Sequence, residues 1–370
     1  MKCLKTKTTM KRYQNIYSLC LLLIITAAGC IKKDEVEPGP VADARPLLTV
    51  LQANYSFTLF ISALERTGYD KLLAGDTMYT LLAPTDQAFA NAGISADSLA
   101  NMELEQLKTL VGYHILPGVM SSDQLPQKVD YPVKSVSGAN VFFSVPLPGR
   151  YQNQFPMPGL PIIHINGGNV TKADIKAKNG VMYVIDKVLE YPKPTVRALL
   201  ESLPQYSLYT QALRQFGLLD SLNKPGPFAL LAMTNDVFLQ YGLDETALAA
   251  IDTVHYKKNL FTCGIMTNKF FFKTDFDDAP MPALGDYLTG GNAPVYFMPD
   301  FALVFNFALG IVPYNYNEII NDYGPPYYGN PYIYGDLVLI SDTDKDHLAV
   351  NGVVHAISGM MVYPDNARIQ

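Results

Sequence analysis

The chain has no tryptophan and only four cysteines, and three of those four, Cys3, Cys20 and Cys30, fall within the first thirty residues. Only Cys263 lies deep in the chain, so if the N-terminal segment is removed or lipidated no intrachain disulfide and no thiolate metal cage can form. Stability must then come from buried apolar surface. Histidine is equally sparse: His114, His164, His255, His347 and His355 never fall in a pair with metal-ligand spacing. Gly-x-Ser-x-Gly, phosphate-loop and dinucleotide patterns are missing, so no residue stands out as catalytic and no cofactor is expected. Charged residues make up only 17% of the chain, and the long apolar runs of a membrane-spanning protein are absent. What is plentiful is 26 Pro, 26 Gly and 24 Tyr, a composition of strands, turns and extended loops.

The N-terminus is the most legible part. Lys2, Lys5, Lys7, Lys11 and Arg12 precede the apolar run Ile16 to Ala28, which is too short to span a bilayer comfortably and reads as a secretory signal over residues 1–29. Its end, Ala27-Ala28-Gly29-Cys30, resembles the bacterial lipobox, with Ala27 where Leu is usual. That resemblance implies lipidation of Cys30, with acyl chains holding the protein on a membrane. Residues 30–44 then read as a tether, charged at first and afterwards rich in Pro. Lys33-Asp34-Glu35 leave open whether the chain faces the periplasm or the cell exterior; the expected location is the cell envelope, at the outer membrane. Losing the first 29 residues removes five of 28 basic residues and none of the 34 acidic ones, so the net charge goes from −6 to −11. A surface this acidic repels phosphate backbones, which excludes nucleic acid as a partner.

Beyond the tether the chain repeats itself. Tyr79 to Phe89, YTLLAPTDQAF, returns as Phe228 to Phe238, FALLAMTNDVF. Ala63-Leu64 returns as Ala212-Leu213 at an offset of 149, and Asn179-Gly180 as Asn351-Gly352 at 172. Each copy reads as a buried strand, then Thr85 or Thr234 placed to cap a helix with Asp86 or Asn235 in its first turn. Helices are expected from Pro46 to Leu64, with a break near Asn54, and from about Glu103 to His114, stopped by Leu116-Pro117-Gly118. Strands follow at Val141 to Val145, Ile162 to Ile165, Asn169 to Ala177 and Val181 to Leu189, with turns at Gly167-Gly168 and Asn179-Gly180. The Pro-rich stretch 146–161 is a loop, and Arg150 to Phe155 within it offers a small contact surface.

The ordered blocks TLLAPTDQAF, LVGYHILPG and KADIKAKNGVMYVIDKVLEYP, followed by ALLAMTNDVF and NGVVHAISGMMVYP, resemble the fasciclin family of adhesion domains. The second copy departs where Met233 replaces Pro84, Asn235 replaces Asp86, and Cys263-Gly264 replace Tyr113-His114. The resemblance implies an α/β (α+β) fold, two tandem domains at 45–192 and 193–364, each a β-sandwich or wedge with packed helices. It also implies display outside the cell and a non-catalytic role in adhesion or matrix contact. In animal relatives the Tyr-His region is linked to receptor binding, so Tyr113 and His114 are ligand-contact candidates. The alternative is structural: Tyr113 beside Leu110 on the apolar helix face, and His114 on a backbone carbonyl.

Three further features remain. About 22 extra residues lie between Ile265 and Asn351, in a Tyr-rich insert at about 290–336. Tyr314, Tyr316, Tyr323, Tyr327, Tyr328, Tyr332 and Tyr334 could present rings to a protein or a sugar, or pack over the sheet. Asp342, Asp344 and Asp346 alternate as at the start of a calcium loop, but His347 and Val353 stand where that loop needs Gly and Glu, which favours an acidic turn. The partner is expected to be an extracellular protein or glycan. A glycan-binding accessory protein using the Tyr-rich loop, and a hydrolase built without a local motif, are the alternatives.

Overall fold

The computed structural model describes residues 45–145, 162–267, 270–278, 295–298, 301–306, 310–314 and 338–369. The leader and tether, the Arg150 to Phe155 loop, and Tyr316 to Tyr334 lie outside the described residues; of Tyr314 only the backbone strand is described. Among the described residues no helix is long and apolar enough to cross a membrane.

The first half opens with α1 (Leu47–Gln52), α2 (Thr58–Thr67) and α3 (Tyr69–Ala74). In α2, Phe60, Ala63 and Leu64 recur at i, i+3 and i+4 and are buried together, the pattern that makes an amphipathic helix dock. Strand β1 (Tyr79–Pro84) follows, then α4 (Asp86–Asn91), α5 (Ala96–Asn101), α6 (Leu104–Tyr113) and β2 (Ile115–Pro117). The Leu116-Pro117 step read as a stop is thus a strand, antiparallel to β1. The chain continues through β3 (Tyr131–Lys134), β4 (Asn140–Ser144), β5 (His164–Ile165), β6 (Gly168–Ala177) and β7 (Gly180–Ile185). Strand β3 escaped the sequence reading because it contains Pro132 and is only half-buried; it lies at the end of its sheet, where a missing N–H costs least.

These strands form one seven-stranded sheet in the order β2-β1-β7-β6-β5-β4-β3. Its centre is the parallel pair β1 and β7, in register Tyr79 to Gly180 through Pro84 to Ile185. All six residues of both strands are buried, as expected for parallel strands covered on two faces. Leu81, Ala83, Met182 and Val184 face a core shared with the helices. Leu82, Val181, Tyr183 and Ile185 face a second core with Phe143 and Ile165, where the sheet closes over itself. The wedge is therefore a sheet with helices on one side and its own far strands on the other.

The second half repeats the centre. It contains α7 (Val196–Ser202), α8 (Ser207–Gln215), β8 (Phe228–Met233), α9 (Asn235–Gln240), α10 (Glu245–Ala249), α11 (Asn259–Thr262) and β9 (Ile265–Thr267). Then come α12 (Lys273–Asp278), β10 (Val295–Met298), β11 (Phe301–Asn306), β12 (Gly310–Tyr314), β13 (His347–Ala349) and β14 (Gly352–Ile357). Strand β8 runs parallel to β14 from Phe228 opposite Gly352 to Met233 opposite Ile357, and β9 borders it as β2 borders β1. The pairing of β13 with β14 also keeps the 172 offset: His347 lies opposite Val354 as Ile175 lies opposite Met182. The extra residues of the second half thus fall between β9 and β13, where β10, β11 and β12 form a separate three-stranded sheet.

Candidate functional site

Helix α6 begins with the Glu103 carboxylate accepting from the N–H groups of Glu105 and Gln106, and it delivers Tyr113 and His114 to the middle of the fold. Both are completely buried. The His114 ring donates from Nδ1 to Leu110 O at 2.8 Å and accepts the Leu189 N–H at Nε2, 2.9 Å away. Those two partners require the neutral imidazole with its proton on Nδ1, and burial agrees, pushing the pKa down to about 4. Tyr113 donates its hydroxyl to Asn140 O at 2.6 Å and accepts from Asn166 Nδ2 at 2.9 Å; Tyr191 meets its ring edge-on. Burial raises this phenol's pKa far above its ordinary value. The expectation of Tyr113 beside Leu110 is corrected: Tyr113 belongs to the strand-side core, and Leu110 packs on the helix-side core. The chain crosses between the two faces at the end of α6, so adjacent residues enter different cores.

In the second half Gly264 occupies the place of His114, its carbonyl accepting the Leu231 N–H as His114 O accepts that of Leu82. A Cβ there would stand 2.3 Å from Leu231 O, so no larger residue fits. The neighbouring Met361 methyl occupies space beside it. Cys263 is buried, with its thiol pKa pushed up to about 12 by desolvation, and is packing material.

Asn179 and Asn351, expected only to turn the chain, do more. Asn179 Oδ1 accepts the Leu47 N–H at 2.7 Å, while its Nδ2 donates to Leu73 O and Gly75 O. Asn351 does the same with Val196 N–H, Leu222 O and Lys224 O. Every partner is displaced by 149 residues between the copies. Each Asn stands at the entry to the second central strand, where it ties the first helix and the stretch before the first central strand to the sheet. The recurrence of Asn-Gly at an offset of 172 was the available signal, but a hairpin turn explained it locally. Asp86 also reaches further than expected: its carboxylate accepts from Thr58 N–H, Thr58 Oγ1 and Leu59 N–H, capping α2 rather than only its own helix. Asn235 does this for α8 through Leu208 N–H.

The three acidic candidates diverge. Asp342 is exposed and pairs with Lys273 and Lys345; Asp344 contacts His347. Asp346 is buried: it accepts the Lys273 N–H at 2.7 Å and pairs with Lys187 Nζ at 3.3 Å. Among the described residues no group of three His, Cys, Asp or Glu could hold a metal ion.

Asp346 sits at a junction between the halves. Lys187 also donates to Asn166 O, and His355 accepts the Asp346 N–H at Nδ1 and donates from Nε2 to Phe271 O. The buried Asp275 carboxyl accepts the Phe272 N–H, and burial pushes its pKa up to about 7. Phe142 stacks on Phe270 at 4.2 Å; Phe272, Leu348 and Val353 complete the first half's strand-side core, and Val129 enters the core of the second. The connecting segment is itself paired: Lys193 N–H donates to Leu348 O, and Val350 N–H to Lys193 O. Beside this seam lies a cleft of about 310 Å³ lined by residues of both halves, among them Lys134, Asn140, Phe142 and Val350.

The fasciclin domain family model matches residues 55–192. "Protein sll1483" of Synechocystis is 26% identical over 163 residues, 44% of this chain and 82% of that protein. Transforming growth factor-beta-induced protein ig-h3 of Sus scrofa is 28% identical over 191 residues, 51% of this chain and 26% of its own length. Fasciclin-like arabinogalactan protein 12 of Arabidopsis thaliana is 31% identical over 137 residues, 34% of this chain and 52% of its own. The chain thus spans most of the Synechocystis protein, but only about a quarter of ig-h3 and half of the plant protein. Among solved structures, a FAS1 domain pair from the insect cell adhesion molecule Fasciclin I covers 83% of this chain and 97% of that one, at 17% identity and a TM-score of 0.32. Residues 55–192 are a fasciclin domain. The second half, with its matching strand registers and asparagine clamp, is a fasciclin-like copy of it.

Proposed function

We propose that this chain is a non-catalytic adhesion or binding module, held at the bacterial cell envelope by lipid on Cys30. The observation that carries the reading is the fasciclin match over residues 55–192, since the resemblance implies contact with proteins or matrix outside the cell. The interior supports it. The polar side chains that converge there, the two Asn clamps, His114 and Asp86, are engaged with main-chain groups of the fold itself, so the molecule offers contact area rather than chemistry. The leader, with its Ala-Ala-Gly-Cys ending, supplies the address. The test has two arms. Wild-type protein grown with labelled palmitate is expected to take up the label and Cys30→Ala to take up none; equal labelling of the two, or none in wild type, overturns the lipid anchor. Beads coated with the full chain are expected to adhere to cells or matrix above uncoated beads, and failure on every surface tried overturns adhesion.

A further inference from the structure

We infer that the cleft between the two halves receives an acidic segment of a partner protein, a statement that rests on the adhesion reading and gives its partner a chemistry. The cleft is built from Lys134, Asn140 and Phe142 of the first half, Pro192 of the connection, and Ala349 and Val350 of the second. Neither half forms it alone. Its lining contains a cation and no carboxylate, and the exposed Lys193 follows directly after Pro192. The chain as a whole is acidic, with 34 acidic residues against 28 basic ones, so the sign of charge in the recess is opposite to that of the molecule. It selects a negative group by attraction in the recess and by repulsion elsewhere on the surface.

The remaining walls define what accompanies the charge. Phe142, Pro192, Ala349 and Val350 offer an apolar wall, of which Val350 is 59% exposed, suited to an aliphatic side chain beside a carboxylate. The volume holds one or two side chains. Phe142, the aromatic ring among the lining residues, is 7% exposed and stacked on Phe270, so the lining presents no open ring as a platform for a pyranose. These features favour a peptide carrying Asp or Glu next to an aliphatic residue over an acidic glycan.

The walls are preformed, which lowers the ordering cost of binding. Tyr113 donates to Asn140 O, and Asn166 Oδ1 accepts the Phe142 N–H while its Nδ2 donates to Tyr113. Tyr191 packs on Tyr113 immediately before Pro192, and Lys193 bridges Leu348 and Val350 through its main chain. Tyr113 is therefore a positioning residue: it touches no ligand and holds both the Asn140 wall and the Tyr191 side of the connection in place.

The experiment is fluorescence anisotropy on the full chain in detergent. The probe is a labelled peptide of alternating Glu and Val, and the control carries Gln for Glu. The Glu peptide is expected to bind about tenfold more tightly than the Gln peptide, with affinity falling from about 0.1 M to about 0.5 M salt. Lys134→Glu, at an exposed position, is expected to erase both the preference and the salt dependence, and Val350→Asp to weaken binding. Tyr113→Phe is expected to raise Kd while leaving the salt slope unchanged. Equal binding of the two peptides, or an unaltered preference in Lys134→Glu, overturns the inference. An oligo-uronate that outcompetes the Glu peptide, and loses its binding in Lys134→Glu, overturns the choice of a protein partner. If coated beads adhere while neither peptide binds, only the cleft assignment falls; if the Glu peptide binds but beads adhere to nothing, the adhesion reading falls.

Discussion

His114 sets a direction for the pH dependence of stability. Its imidazole titrates near 6.5 when unfolded and near 4 in the folded chain because burial opposes the charged form, so the unfolded state takes up the proton first as pH falls. The stabilisation is complete above about pH 6.5 and is lost on going down toward about pH 4, amounting to about 3 kcal/mol. Asp275 acts the opposite way. Its folded pKa is raised from 3.8 to about 7, so its contribution is complete below about 3.8 and is lost as pH rises toward 7. The two effects overlap, and the difference between wild type and His114→Gln isolates the first. The urea midpoint of the variant is expected to fall less steeply between about pH 6.5 and pH 4 than that of wild type. For the asparagine clamps, Asn179→Ala removes three hydrogen bonds and leaves buried main-chain groups unpaired, which is expected to cost about 2–4 kcal/mol in chemical denaturation. Asn351→Ala should cost a similar amount in the second half, and a loss within about 0.5 kcal/mol for both would refute the clamp.

At the level of elements, the central strands were readable because six consecutive buried residues leave an apolar run between turn signals, and because the run occurs twice. Helix α2 was readable from its apolar spacing. What could not be read was where a polar side chain goes once the chain has folded. Asp86 looks like a first-turn acid of its own helix, yet its acceptors serve a helix 28 residues earlier. Asn179 looks like a turn former, yet its partners lie more than 100 residues away. The junction left no local pattern at all, since Lys187 and Asp346 are 159 positions apart. Asp86→Ala is expected to destabilise by about 1–2 kcal/mol through loss of the α2 cap, and Asn235→Ala by a comparable amount through α8. Packing of the central strands is equally testable: a Cβ at Gly180 would lie 1.9 Å from Tyr79 O, so Gly180→Ala must displace β7 from β1. Its melting temperature is expected to drop well below that of Gly75→Ala, an exposed control with a negative φ where an added Cβ makes only ordinary contacts.

For the whole molecule, the halves share cores, an ion pair made to a buried carboxylate and a paired connection, so they are expected to unfold together. Asp346→Ala leaves the half-buried Lys187 without its carboxylate and the Lys273 N–H without its acceptor, and is expected to cost about 1–3 kcal/mol. Calorimetry should show one transition in wild type and two in the variant; two transitions in wild type would contradict the shared junction.

The parallel alignment of β1 with β7 bears on how the chain would carry load. Tension entering through the helices ahead of β1 and leaving through the connection after β7 pulls the two strands past each other along their length. The rungs between them are then strained all at once instead of being peeled one by one. Since β8 and β14 repeat that alignment, a chain pulled from its two ends meets resistance to sliding twice over before it can lengthen.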